Sequence, residues 1–151
     1  MKLIIACDPK GGIGYKNKLP WDKIEGDLPR FKRLTKGSNV VMGRKTWESL
    51  PSKPLPERRN IIVSKRGMPA HPGVAVISDI KLIPLNSWII GGAELIANCF
   101  HLIREVHLTR VNKVYECDCR IDLSYLVQNF ELVYDYPDEY PDHSYQIWKR
   151  I

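Results

Sequence analysis

Apolar residues in this chain fall in short runs, each closed off by glycine, proline or charge. Residues 2–8 contain Leu3-Ile4-Ile5-Ala6-Cys7 in succession, bounded by Pro9 and Gly11, which predicts a strand buried on both faces. Pro9-Lys10-Gly11-Gly12-Ile13-Gly14 then places three glycines within four positions, a loop that continues through Asn17 and Pro20-Trp21 to about Ile24. Residues 27–36 have helical spacing, with Leu28, Phe31 and Leu34 or Thr35 on one side and Gly37 as the stop. Residues 39–42 form a second short strand closed by Gly43, and residues 44–50 a short helix stopped by Pro51.

A proline-rich stretch (Pro51, Pro54, Pro56) leads to strands at 60–64 and 74–78, with the short, Pro84-containing segment 79–86 after them. Residues 87–90 are the next strand, followed by Gly91-Gly92 and an apolar helix from Ala93 to about Leu102. Residues 104–112 alternate, with Val106, Leu108 and Arg110 facing away from His107, Thr109 and Val111. Strands at 130–136 and 144–150, joined by the acidic, proline-bearing link 137–142, read as a hairpin. Strands alternating with helices and ending in two strands predict an α/β fold. Its mainly parallel central sheet should have about eight strands, flanking helices and an antiparallel C-terminal edge hairpin. At 151 residues, with no repeat or linker, the chain reads as one domain over 1–151.

Composition narrows the classes. No apolar run approaches the roughly 18 to 20 residues of a membrane span, and the first strand is too short for a secretory signal. Cys7, Cys99, Cys117 and Cys119 match no zinc spacing, so no metal is expected and free thiols in a reducing cytosol are the expectation. The net charge of +6 suits a polyanionic partner, and the basic residues are scattered through loops rather than grouped for nucleic acid.

Three predicted strand ends lead into groups able to hold an anion, and ligands of open α/β sheets bind at such ends. Val40-Val41-Met42-Gly43-Arg44-Lys45-Thr46 opens a helix with a glycine, two cations and a hydroxyl; it reads equally as a phosphate site or as a helix start with surface cations. Trp88-Ile89-Ile90-Gly91-Gly92-Ala93-Glu94 lets backbone approach a ligand, though a Gly-Gly pair also marks tight helix–strand packing. Ile61-Ile62-Val63-Ser64-Lys65-Arg66 ends in two cations beside a hydroxyl, suited to a ribose phosphate or simply to a solvated turn. Asp27 and Phe31 share a helix face near Leu28 and Trp21. Asp27 is a helix cap on spacing alone, or else a carboxylate in an apolar pocket able to hold an amidine-like group through two hydrogen bonds.

These segments resemble one family, dihydrofolate reductase. The resemblance is carried by Leu3-Ile4-Ile5-Ala6, Gly12-Ile13-Gly14, Asn17-Lys18-Leu19-Pro20-Trp21, Asp27-Leu28-Pro29-Arg30-Phe31-Lys32 and Val41-Met42-Gly43-Arg44-Lys45-Thr46-Trp47-Glu48-Ser49-Leu50. Pro54-Leu55-Pro56-Glu57-Arg58, Asn60-Ile61-Ile62-Val63-Ser64, Ile89-Ile90-Gly91-Gly92, Leu108-Thr109 and Ser144-Tyr145 extend it in the family's order over almost the whole chain.

The resemblance implies reduction of dihydrofolate to tetrahydrofolate by NADPH, in a cytoplasmic monomer serving one-carbon metabolism. It implies a catalytic set of Asp27, Trp21 and Thr109, with Asp27 binding the pterin and promoting its protonation and Thr109 orienting the carboxylate. Ile5, Ala6, Cys7, Leu28, Phe31, Leu50 and Ile90 would wall the substrate pocket, and Arg58 would pair with the glutamate carboxylate of folate. For the cofactor it implies the mobile loop of Gly12, Ile13, Gly14, Asn17, Lys18 and Leu19, with Ala6, Cys7 and Ile90 next to it. Gly43, Arg44, Lys45, Thr46, Ser64 and Lys65 would take the adenosine-phosphate side. Gly91, Gly92, Ala93, Glu94, Leu95, Ile96 and Asn98 would take the pyrophosphate helix.

The chain departs from the family pattern in places. One extra residue separates Trp21 from Asp27 relative to the shortest members, Cys7 replaces an alanine, Ala93 a third glycine and Ile96 a tyrosine. The 79–86 helix should be reduced, and Cys117-Asp118-Cys119-Arg120-Ile121-Asp122 matches the family's Gly-Asp-Thr-x-Phe-Pro loosely. The rivals are a riboflavin-pathway reductase domain of the same fold, which would lack the Trp21–Asp27 arrangement and Arg58; a basic nucleic-acid binder; and a fold kept for a structural role.

Overall fold

A computed structural model describes residues 1–137 and 140–151. Its elements in chain order are β1 (Lys2–Cys7), β2 (Gly12–Gly14), α1 (Asp27–Thr35), β3 (Asn39–Gly43), α2 (Arg44–Ser49), β4 (Arg59–Val63) and β5 (Val74–Ile77). There follow β6 (Ser87–Gly91), α3 (Ala93–Cys99), β7 (Glu105–Val111), β8 (Cys119–Arg120), α4 (Leu123–Asn129), β9 (Phe130–Tyr136) and β10 (His143–Arg150). Eight strands form one sheet in the order β5-β4-β3-β6-β1-β7-β10-β9, while β2 and β8 make a separate two-stranded ribbon. The pairs from β5 to β7 are parallel, and β10 runs antiparallel to both β7 and β9.

The predicted sheet is therefore present, with β10 inserted beside β7 and β9 left at the edge. Part of the predicted hairpin link, residues 138–139, lies outside the described residues. The reduced segment after β5 is a single 3₁₀ turn, Ile80–Leu82. The apolar helix after Gly92 tightens at its end, so α3 stops at Cys99 and a 3₁₀ turn, Phe100–Leu102, completes it. Two features are corrections. The glycine loop, expected to be irregular, contains β2, whose three residues are too few for any alternation to register. Helix α4 was not expected at all, although Asp122 caps it by accepting from Tyr125 N (3.0 Å).

Strand alternation sorts the core into two layers. Ile4, Met42, Ile62 and Trp88 meet Phe31 and Leu34 of α1 and Trp47 of α2 on one face. Leu3, Cys7, Val41, Ile61, Ile89, Val106 and Leu108 meet Leu95 and Ile96 of α3 and Leu126 of α4 on the other. Each fully buried aliphatic side chain contributes roughly 1.5–3 kcal/mol, so burial on both faces fixes these strands in register. The same sorting positions the site. The chain leaving β1 and β3 turns toward the α1 face, the chain leaving β6 turns toward the α3 face, and a crevice opens at the carboxyl ends between them.

Candidate active site

Asp27 is the first residue of α1, and Gly26, with φ +79°, is the residue before the helix. Among the described residues no side chain caps α1, so the capping reading of Asp27 gives way. Its carboxylate instead receives a hydrogen bond from Thr109 Oγ1 at 2.6 Å, between positions 82 residues apart in sequence. Thr109 is buried on β7 with its hydroxyl on the α1 face, as the alternation of β7 predicts. Its strand neighbours are Ala6 on β1 and Tyr145 on β10. Trp21 is buried beside Ile24 and Val111, with Ala6 packed against that cluster. Trp21 Nε1 is shielded from solvent with no hydrogen-bond partner among the described residues, as expected of a donor that points at a ligand or water.

The pleat of β1 divides the expected pocket wall. Ala6 is on the Trp21 side, but Ile5 and Cys7 turn to the α3 layer, so those two could meet a ligand only through backbone. Burial pushes the Cys7 thiol up to about 12, so it is an inert apolar group of the α3-layer core. Phe31, Leu50 and Ile90 pack together in the α1 layer. Leu28 is 66% exposed, an apolar side chain left open to solvent beside Asp27 at the start of α1.

Arg58 lies beside the C-terminal end of α1, its guanidinium 5.6 Å from the centre of the Phe31 ring. Its Nε donates to Pro56 O (2.8 Å), and its Nη1 donates to Thr35 Oγ1 (3.2 Å). Thr35 spends its own proton on Phe31 O (2.7 Å), so its oxygen is free to accept from Arg58. Two of the roughly five N–H donors of a guanidinium are thus used to orient it, and the rest can grip a planar anion.

Across the crevice, three glycines adjoin one hydroxyl. A side chain added to Gly91 or Gly92 would come within 3.5 and 3.3 Å of Thr46 Oγ1, and one at Gly43 within 3.9 Å of Gly92 N. Gly91 and Gly92 are joined by a cis peptide bond. The helices that start here, α2 and α3, begin after Gly43 and Gly92 without a side-chain cap among the described residues, in contrast with α4. Their first N–H groups remain available to an anion, and the missing side chains leave room for it. Arg44 and Lys45 stand exposed at this end, with Arg44 paired to Glu48 at 3.2 Å. Ser64 ends β4 and donates to Gly67 O (3.1 Å), with Lys65 and Arg66 exposed beyond it.

Helix α3 meets the expectation unevenly. Leu95 and Ile96 are buried in the α3-layer core, a packing role that their apolar character allowed for. Ala93 is partly buried, and Glu94 and Asn98 are exposed.

On the loop, Asn17, Lys18 and Leu19 are exposed at a tight turn in which Tyr15 and Lys18 exchange backbone hydrogen bonds. Gly12 to Gly14 are tied to β8, and Asp118 accepts from Lys16 N at 2.9 Å. Asp118, part of the loosely matched motif after Glu116, bonds backbone 102 positions away, a partner that no local pattern signals.

The family model "Dihydrofolate reductase" matches residues 1–147.

The chain belongs to the dihydrofolate reductase family.

Within it, the chain is 36% identical to dihydrofolate reductase type 8 of Escherichia coli, over 97% of this chain and 94% of that one. It is 35% identical to the dihydrofolate reductase of Bacillus subtilis, over 78% of this chain and 73% of the relative. Among solved structures, a dihydrofolate reductase from Enterococcus faecalis complexed with NADP(H) and RAB-propyl superposes with a TM-score of 0.84 at 26% identity, covering 99% of this chain and 95% of that one. Membership sets aside the riboflavin-pathway rival. Among the described residues no helix is long and apolar enough to cross a membrane.

Proposed function

We propose that this dihydrofolate reductase family member reduces dihydrofolate to tetrahydrofolate with NADPH. The observation that carries the reading is the Asp27–Thr109 hydrogen bond of 2.6 Å at the same carboxyl edge of the parallel strands that carries Gly43 and Gly91, where Gly92 and Thr46 adjoin them. A carboxylate with one oxygen held by a hydroxyl presents two acceptor edges in a fixed plane, which suits the paired N–H donors of a pterin. Holding that edge favours the protonated pterin, with the proton reaching it through Asp27 or an adjacent water. Trp21 Nε1 is the free donor on the same side. Leu28, Phe31 and Leu50 offer apolar surface to the rest of the substrate, and Arg58 offers its remaining N–H groups to a carboxylate.

The cradle suits a pyrophosphate because its glycines leave backbone N–H groups and open space beside Thr46 Oγ1. Arg44, Lys45, Ser64 and Lys65 provide the cations and hydroxyl for a further phosphate on the ribose. When bound, NADPH supplies the hydride. The protein's own contribution is to hold the pterin edge, exclude water through residues 12–19 and neutralise phosphate charge. The net charge of +6 favours encounter with both polyanions. We place the protein in the cytoplasm as a monomeric single-domain enzyme that does not bind nucleic acid.

The test is the dihydrofolate-dependent loss of NADPH absorbance by purified protein, where absence of turnover with either nicotinamide cofactor would remove the reading. Asp27→Asn should lower kcat/KM by on the order of a hundredfold or more near neutral pH. The loss should be smaller at low pH, where the substrate arrives already protonated. An equal loss at every pH would instead indicate a folding defect.

A further inference from the structure

Asp8 follows the last residue of β1 and is fully buried, at 0% exposure. Its carboxylate is hydrogen-bonded by backbone donors, with Arg120 as a charged neighbour. Oδ1 accepts from Lys10 N (2.9 Å) and Gly12 N (2.8 Å) at the start of the glycine loop. Oδ2 accepts from Tyr115 N (3.0 Å) and, more weakly, from Cys117 Sγ (3.9 Å), on the segment that leads to β8. The main chain of Asp8 closes the same knot, with its N donating to Gly12 O and its O accepting from Gly11 N, each at 3.0 Å. The two loops meet so closely here that a side chain at Gly11 would reach within 2.6 Å of Ile121 O, and one at Gly12 would run into Cys117 Sγ.

A buried carboxylate with this donor set is a clamp. Burial pushes its pKa up, but the three backbone N–H groups, from Tyr115, Gly12 and Lys10, together with the Arg120 charge, outweigh that and hold it below the ordinary carboxylate value. Removing it leaves three shielded N–H groups without an acceptor, and each such orphan is costly. Because those N–H groups belong to two segments more than 100 positions apart, the strain releases by letting the segments separate.

We propose that Asp8 is a positioning residue for the cofactor side of the reaction: it fixes the base of the glycine loop, and through it the residues that cover the nicotinamide. The inference rests on the reading above that residues 12–19 close over the nicotinamide. Asp118 holds the loop further along, at Lys16, so Asp8 is a second and independent anchor.

The experiment compares the full-length protein with Asp8→Ala and with the isosteric Asp8→Asn, which keeps one acceptor oxygen and so preserves the fold if the alanine variant does not. Two readouts are taken: amide exchange of residues 10–16 and 115–118 with NADPH bound, and steady-state constants for both substrates. Exchange in both segments should rise, and the KM for NADPH should rise about tenfold in Asp8→Ala and less in Asp8→Asn. The KM for dihydrofolate should stay within about twofold, because Asp27 and Arg58 are held by other contacts. Unchanged exchange in both segments overturns Asp8 as the anchor. Raised exchange with an unchanged NADPH KM overturns the loop's place over the nicotinamide, and the proposal with it. Equal shifts in both KM values reduce Asp8 to a general stabiliser and also overturn it.

Discussion

At the scale of single residues, the site depends on polar groups whose partners are fixed before any ligand arrives. Thr109 directs Asp27, Thr35 directs Arg58, and each hydroxyl spends a single hydrogen bond to do so. Thr109→Val keeps the shape of the side chain and removes its donor, leaving Asp27 free to rotate. A hydrogen bond to a charged group is worth roughly 1.5–3 kcal/mol, so kcat/KM for dihydrofolate should fall about 10- to 150-fold with the NADPH KM little changed. Steady-state kinetics check this, and an unchanged kcat/KM would show that Asp27 needs no orienting partner. Asp27 itself was legible in the sequence as one of two things, a cap or a pocket acid. Spacing could not choose, because both roles place a carboxylate in the first turn of a helix. The decision came from a residue 82 positions away.

At the scale of elements, the start of α1 is braced from outside. Gly26 has φ +79°, and a side chain there would run into the Tyr140 ring, which stacks on the buried His143 at 4.4 Å. Gly26→Ala therefore combines left-handed strain with a steric clash, and should cost about 1–3 kcal/mol of stability. For a chain of this length each kcal/mol lowers the thermal midpoint by roughly 2–4 °C, which calorimetry can read. The KM for dihydrofolate should rise as well, since the displaced turn carries Asp27. A variant with an unaltered midpoint would mean that Tyr140 moves aside freely. The long periodic elements, β1, α1, β3 and β7, were readable because periodicity accumulates over each of them. The ribbon of β2 and β8 was not, since its five residues pair across a separation of about a hundred positions. Helix α4 was overlooked although Asp122 and Leu126 carried a cap and a buried contact, a signal that was present in the sequence.

At the scale of the whole molecule, stability should carry a pH dependence from the interior. His107 lies under the sheet's α1 face between Tyr145 OH (2.5 Å) and Glu105 Oε1 (3.0 Å), with its ring against Trp88 at 5.0 Å. Burial pushes the imidazole below its ordinary value of 6.5, while Glu105 opposes the shift. The unfolded chain thus takes up a proton first as the pH falls. His107 contributes stability that is fully present above about 6.5 and is lost as the pH drops from there through the lowered folded value. Thermal midpoints between pH 8 and 5 should fall below pH 6.5, and His107→Gln should flatten that part of the curve; identical profiles would assign the dependence elsewhere. By itself the sequence determined the α/β class, the order of the strands along the chain and the strand ends where anion-holding groups fall, because these follow from local periodicity and side-chain chemistry; the pterin and carboxylate roles came from the family resemblance alone. The tertiary structure showed the Asp27–Thr109 contact that the resemblance implied, and it alone decided that Ile5 and Cys7 turn away while Ala6 remains, and that Asp8 ties two loops together. Those outcomes depend on strand order and pleat, which bring distant backbone into contact, and no local pattern encodes a partner a hundred residues away.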